Sequence, residues 1–271
     1  MPEKQNKETT NKKTSSTTVF NDYARYYDLL YQDKEYAAEA EYVTNLIRRF
    51  HPSAQSILEL GSGTGIHACL LAEKGFTVNG VERSPEMLTQ SLALAEKMDL
   101  KQGQLTFSPG NIRDIQFKKH FDAVIALFHV ISYQTSNADV VAAFETARKH
   151  LTPGGIFIFD VWYGPAVLTQ LPEVRIKRMS DEKNEVTRLA EPVLHPNENL
   201  VDVCYHMFVR DRETENVAEL RETHIMRYFF QLEIEFLAHA ARFTIQNTEE
   251  WQTAKPIGTD TWSACFCLQA L

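Results

Sequence analysis

"ILELGSGTGIHACLL", residues 57–71, decides the fold. A short apolar run carries Glu59 near its end; three glycines then alternate (Gly61, Gly63, Gly65), and an apolar, helix-like stretch begins at Ile66. Strand, bare turn and helix in that order open a βαβ unit. In an open α/β sheet, ligands sit beyond the carboxyl ends of the strands where the winding reverses, and glycines there let backbone approach a ligand closely.

The rhythm continues downstream. "FTVNGVE" (76–82) reads as a strand, followed by the helix "SPEMLTQSLALAEKM", with Ser84 as its cap and Pro85 at its first position. "QLTFSPG" is a third strand. "FDAVIALF" is a fourth, bulky and apolar without alternation, as a strand buried on both faces should be. The helix "NADVVAAFETARKHL" and the fifth strand "IFIFDVW" come next. Upstream, "FNDYARYYDLLY" places Tyr23, Tyr27 and Tyr31 on one helical face, a pattern that assigns Tyr23 and Tyr27 mainly to packing. "KEYAAEAEYVTNLIRRF" is an amphipathic helix stopped by Pro52.

After Trp162 the period changes to two. In "LVDVCYHMFVR", Val201, Val203, Tyr205, Met207 and Val209 share one face, and "PNEN" and "DRETEN" are turn clusters between runs. A helix, "QLEIEFLAHAA", and two strands, "RFTIQN" and "WSACFCLQA", close the chain. The expected fold is α/β: a Rossmann-like, doubly wound, seven-stranded, mostly parallel sheet with an antiparallel β insertion after strand five. Four segments follow: a polar, disordered tail (1–18), a ligand-binding core with N-terminal helices (19–165), the insertion (166–228), and a helix and strands completing the core sheet (229–271).

Composition narrows the partners. The chain has 271 residues, 44% of them hydrophobic, and a net charge of -8 with scattered basic residues. That argues against nucleic acid and against a polybasic membrane anchor. No apolar run approaches the ~20 residues of a membrane span. The N-terminus lacks a hydrophobic signal core, so a cytoplasmic location is expected. Cys69, Cys204, Cys265 and Cys267 show neither disulfide-framework nor zinc spacing, and His195, His206, His224 and His239 have no ligand spacing, so no metal is expected.

Two ligand classes compete for the glycine turn. A dinucleotide site wants G-x-G-x-x-G; its third glycine falls on Ile66 here, and the spacing is instead G-x-G-x-G. With Glu59 at the strand end, this resembles motif I of the class I S-adenosylmethionine-dependent methyltransferases. "FDAVIALFHV" and "LTPGGIFIFD" complete that family's strand-four and strand-five signatures. The resemblance implies S-adenosyl-L-methionine as cofactor, held by Glu59, Gly61, Ser62, Gly63 and Gly65. It puts the ribose hydroxyls on Glu82 beside Arg83, and the adenine between Met87 (or Leu88) and the pair Asn111-Ile112 in "SPGNIRDI", with Leu127 adjoining. Asn111, where relatives carry Asp, keeps an acceptor oxygen for the adenine amino group.

"YDLLY", "KEYAAEA", "GNIRD" and "FDVWYGP" further resemble the enzymes that N-methylate TDP-linked amino sugars of the desosamine and mycaminose type. The acceptor is then a small molecule, a nucleotide sugar; the alternative is O- or N-methylation of a non-sugar small molecule. By position, Tyr36 would touch the methionyl end of the cofactor. Tyr31, Tyr133, Trp162, Tyr163 and the basic residues Arg175, Lys177 and Arg178 would face the acceptor. Methyl transfer needs alignment and a free-base amine. His129, at the end of strand four, is the first candidate to take a proton, with Tyr31 beside it; a packing or orienting role is the alternative for each. A homodimer is one assembly this reading allows.

Other classes are weighed on single features. A nicotinamide-dependent oxidoreductase would need glycine at Ile66. A base-amino methyltransferase would need an asparagine/aspartate-proline-proline-aromatic motif where "LFHV" stands. A silent cofactor-binding scaffold would share the glycine loop, and cofactor titration followed by assay of S-adenosylhomocysteine release separates it from an enzyme.

Overall fold

The computed structural model describes residues 22–271; the tail expected over residues 1–18 lies outside them. A 3-10 turn (Asp22–Tyr26) leads to α1 (Tyr27–Leu30) and α2 (Tyr36–Phe50). Next come β1 (Ser56–Leu60), α3 (Ile66–Glu73), β2 (Thr77–Glu82), α4 (Pro85–Ala95), β3 (Leu105–Pro109) and β4 (Phe121–Ala126). A second 3-10 turn (Val130–Tyr133) precedes α5 (Asn137–His150), β5 (Leu151–Tyr163) and α6 (Gly164–Gln170). Four strands follow, β6 (Arg175–Ser180), β7 (Asn184–His195), β8 (Leu200–Asp211) and β9 (Val217–Phe229), then α7 (Gln231–Ala240), β10 (Phe243–Glu250) and β11 (Ser263–Ala270).

The core sheet runs β3-β2-β1-β4-β5-β11-β10. β1 to β5 are parallel, and β11 alone runs against its neighbours. This is the expected doubly wound, seven-stranded sheet. β5 alternates Phe157 and Phe159 into a cluster under α5 and α7 with Ile156 and Ile158 into a cluster under α2 and α3. It is buried on both faces, which is why its sequence lacks alternation. α5 starts where Ser136 Oγ accepts the Asp139 N–H at 3.1 Å. Ser136→Ala is expected to cost about 1 kcal/mol of stability, read as a lower urea midpoint at unchanged slope; an unmoved midpoint would contradict the cap.

One pairing positions the site. β4 pairs with β5 only as far as Ala126↔Phe159, and the chain then turns away. The vacated edge of β5 is taken by β9, through Trp162↔Tyr228 and Tyr163↔Phe229. Because β9 continues into β8, β7 and β6, the insertion's antiparallel sheet is hydrogen-bonded to the core and overhangs the ends of β1 and β4.

The N-terminal segment closes the overhang from the other side. The spacing predicts one continuous helix from Phe20 to Tyr31, but the described part is a 3-10 turn and a single α turn. Tertiary packing overrides the pattern: the Tyr23 ring stacks on Tyr205 of β8 at 5.1 Å, and Tyr23 and Leu30 join Val186, Met207 and Val209 of the insertion in one apolar cluster. Thr64 Oγ1 donates to Asp28 Oδ1 at 2.8 Å and Gln90 Nε2 to the Ala24 carbonyl at 3.0 Å, tying this segment over the glycine loop.

Candidate active site

A cavity of about 300 Å³ lies between the carboxyl ends of β1, β2 and β4, the insertion and the N-terminal segment. Its floor is the glycine loop. Gly61 has φ +71°, and a Cβ there would stand 2.7 Å from the Val130 side chain, so the β1 turn admits no larger residue beside the 3-10 turn. Gly65 works differently from its expected role, because it does not line the cavity. At φ +86° it starts α3, and a Cβ would meet the Phe107 ring at 2.7 Å and Ser91 at 2.9 Å. It permits close packing of α3 on α4 and β3 rather than ligand contact.

Two carboxylates define the electrostatics of this end. Glu59 is 2% exposed, and burial, then the nearby Glu82, push its carboxyl up to about 8, with Lys34 opposing. Glu82 is raised by burial, opposed by backbone donors. Its Oε2 accepts the Gly63 N–H at 2.8 Å and its Oε1 the Ser84 N–H at 2.7 Å. An ammonium group brought beside Glu59 would favour its ionised form.

Three buried polar atoms at this end have no hydrogen-bond partner: Glu59 Oε2, Ser62 Oγ and Tyr36 Oη. Unsatisfied buried polar groups are costly and call for a ligand. This set fits S-adenosylmethionine, whose ammonium and carboxylate require an acceptor and donors together. Arg83, Met87, Asn111, Ile112 and Leu127 line the same cavity. Leu88 does not. Asn111 Oδ1 accepts from the Arg113 backbone N–H and Nε, both at 3.1 Å. The expected acceptor oxygen is therefore engaged, and the amide N–H is the group suited to a ring nitrogen.

A support network lies behind Tyr36. Glu39 accepts from Lys34 and, at 2.7 Å, from His67 Nε2, and its Oε1 takes the Trp251 Nε1–H at 3.3 Å. Burial raises the Glu39 carboxyl, but His67 and Lys34 outweigh it and hold the group near 2. Burial pushes the His67 imidazole down, so it is a neutral donor to a charged acceptor.

The other end of the cavity is aromatic. Tyr31, Tyr133, Trp162 and His129 line it, together with Tyr23, Tyr27, Phe128, Tyr205, His224 and Met226. Tyr23 and Tyr27 thus face the cavity as well as packing. His129 and Phe128 both adopt left-handed backbone (φ +64° and +62°) as the chain leaves β4, a strained turn of the kind held at functional sites. Asp160 on β5, 1% exposed, holds it. Both its oxygens accept the His129 backbone N–H at 3.2 Å, and Oδ2 stands 2.7 Å from His129 Nδ1, within ion-pair reach though outside hydrogen-bond angles.

Other expected contacts are corrected. Tyr163 follows Trp162 on a strand and so points to the opposite face, into the core. Arg178 and Arg175 are exposed on the edge strand β6, and Lys177 turns to Asp33 at 2.6 Å. Arg188 on β7, unmarked by any motif, reaches the tyrosines of the aromatic wall with hydrogen bonds. Its Nη1 donates to Tyr23 Oη at 2.9 Å and Tyr31 Oη at 3.3 Å, and no carboxylate pairs with it among the described residues. Asp160, Glu39, His67 and Arg188 had no signal at sequence level because their partners are remote in the chain. Among the described residues no cluster of His, Cys, Asp and Glu could hold a metal ion, and no helix is long and apolar enough to cross a membrane.

Residues 57–155 match the family described as "Methyltransferase domain". The chain is 28% identical over 230 residues to the dTDP-3-amino-3,4,6-trideoxy-alpha-D-glucopyranose N,N-dimethyltransferase of Streptomyces venezuelae, covering 84% of this chain and 92% of that one. It is also 28% identical over 225 residues to the dTDP-3-amino-3,6-dideoxy-alpha-D-glucopyranose N,N-dimethyltransferase of Streptomyces fradiae, covering 82% and 84%. Among solved structures, Streptomyces venezuelae DesVI is similar with a TM-score of 0.76 at 25% identity, covering 93% of this chain and 99% of that chain.

Proposed function

We propose that this chain, an S-adenosylmethionine-dependent methyltransferase, methylates the amino group of a nucleotide-linked amino sugar. The observation that carries the reading is the single cavity joining the Glu59–Glu82 end to the tyrosine-histidine wall lent by the insertion. Two of its relatives are named for N,N-dimethylation of dTDP-linked 3-amino sugars, and the similarity to them runs through the insertion as well as the core.

S-adenosylmethionine, when bound, supplies a methyl group already activated by a sulfonium. What the chain supplies is position, a dry site and places for the amine's protons. Glu59, Ser62 and Tyr36 would hold the amino acid end, Glu82 the ribose, and Asn111, Ile112 and Met87 the adenine. Tyr31 and Trp162 would orient the sugar. Arg188 behind Tyr23 and Tyr31 gives that wall a positive charge suited to a diphosphate-linked acceptor. Asp160 beside Nδ1 favours the tautomer that leaves His129 Nε2 free to accept the proton that the amine sheds once it is methylated.

His129→Ala is expected to slow turnover by at least about tenfold with cofactor affinity unchanged. A smaller loss, measured at saturating substrates, would reduce His129 to an orienting residue. The reading itself is tested by incubating the protein with S-adenosylmethionine and a TDP-linked 3-amino sugar. S-adenosylhomocysteine release together with a methylated sugar is expected; release only with non-sugar amines or hydroxyls would overturn the acceptor assignment.

A further inference from the structure

We propose that Tyr133, His224 and Glu222 form a proton relay that takes the proton from the acceptor's ammonium group on the insertion side of the cavity. The inference rests on the amine-methylating function above, and assigns to β9 a part in the chemistry.

Tyr133 ends the 3-10 turn that His129 precedes, so the two residues stand at opposite ends of one short element. Tyr133 Oη lies 2.9 Å from His224 Nδ1, and His224 Nε2 lies 2.9 Å from Glu222 Oε1. Glu222 and His224 are two apart on β9 and therefore share a face. A carboxylate can only accept, so it fixes the imidazole proton on Nε2 and leaves Nδ1 to accept from the Tyr133 hydroxyl. Tyr133 and His224 both line the cavity, and His224 is 2% exposed while the Glu222 side chain is 13% exposed. The relay thus leads from the cavity wall toward solvent.

The step balances. An N–H bond of the acceptor ammonium breaks and its proton passes to Tyr133 Oη. The tyrosine's own proton passes to His224 Nδ1, and the imidazolium is paired with Glu222. The nitrogen lone pair so released is the nucleophile. Burial pushes the Tyr133 phenol well up, so a free tyrosinate is avoided and the hydroxyl hands on one proton as it receives another. Among the groups facing His224 are Tyr23 (ring centroids 5.2 Å), Tyr205 (4.8 Å), Tyr133 and Glu222. Arg188 lies over the Tyr205 ring, 5.0 Å from its centroid.

The test is the turnover of Tyr133→Phe and Glu222→Gln with S-adenosylmethionine and a TDP-linked 3-amino sugar, from neutral pH to about pH 9.5. At neutral pH each variant should be slower by at least about tenfold. The deficit should shrink below about threefold at the alkaline end, where the amine loses its proton to water unaided. Cofactor affinity by calorimetry should be unchanged. A loss of equal size at every pH, or one under about threefold at neutral pH, would overturn the relay. Nitrogen-15 NMR of labelled histidine, with His224 assigned by its absence in His224→Asn, reads the tautomer without any acceptor. The Nε2–H form is expected and the Nδ1–H form would overturn the relay. A wild-type protein inactive on amino sugars would instead sink the functional reading, with the tautomer still deciding the relay.

Discussion

Affinity for S-adenosylmethionine should rise by up to about tenfold per pH unit between about pH 6 and pH 8. Glu59 is the cause. Its carboxyl sits at the end of β1 without a hydrogen-bond partner on Oε2, and burial together with Glu82 lifts it from an ordinary value near 4.5 to about 8. Below that value the group is a neutral acid, and a ligand carrying an ammonium group must expel the proton to form a charge pair. The stability of the protein without ligand should move the opposite way. A carboxyl raised in the folded state stabilises fully below its unfolded value, and that contribution is lost as pH rises from about 4.5 through about 8, at up to about 1.4 kcal/mol per unit. Glu59→Gln should flatten both curves and weaken binding at pH 8. Titrations in buffers of different ionisation enthalpy should register release of close to one proton below pH 8; affinity independent of pH would remove Glu59 from the cofactor site.

The second large effect is expected at Glu82. Glu82→Ala should weaken S-adenosylmethionine binding by about 2–4 kcal/mol, since hydrogen bonds to a charged group contribute about 1.5–3 kcal/mol each and two ribose hydroxyls would lose their acceptor. The same carboxylate holds the N–H groups of Gly63 and Ser84, so the loop loses its internal tie in the same substitution. Glu82→Gln separates the contributions. It keeps one acceptor oxygen, and should restore melting temperature more fully than affinity. Calorimetry and thermal denaturation on the three proteins check this, and an affinity within about threefold of wild type in Glu82→Ala would refute the ribose assignment.

The glycine-loop end of the cavity was legible because its determinants are local. The β1 turn and the acid closing β2 are fixed by residues a few positions apart, and the unalternating apolar strands announce a sheet covered on both faces. The aromatic end was legible only in part, because it depends on where remote strands meet. Tyr133 and His224 are 91 residues apart, Arg188 and Tyr23 165 apart, and both approaches follow from a two-residue pairing of β5 with β9 that leaves no mark in either segment. Strand parity separates two neighbours: Trp162 and Tyr163 are consecutive and cannot both face one cavity. Arg178 fails for the same reason, since on β6 it is the neighbouring Lys177 that turns inward over the Tyr31 ring.

The most direct measurement is a crystal structure of the protein with S-adenosylhomocysteine. Density should place the ribose hydroxyls within hydrogen-bond distance of Glu82 and the amino acid end against Glu59, Ser62 and Tyr36, with the sulfur turned toward His129. Density elsewhere on the protein, or a ligand lying in this cavity with its ribose turned away from Glu82, would contradict the account.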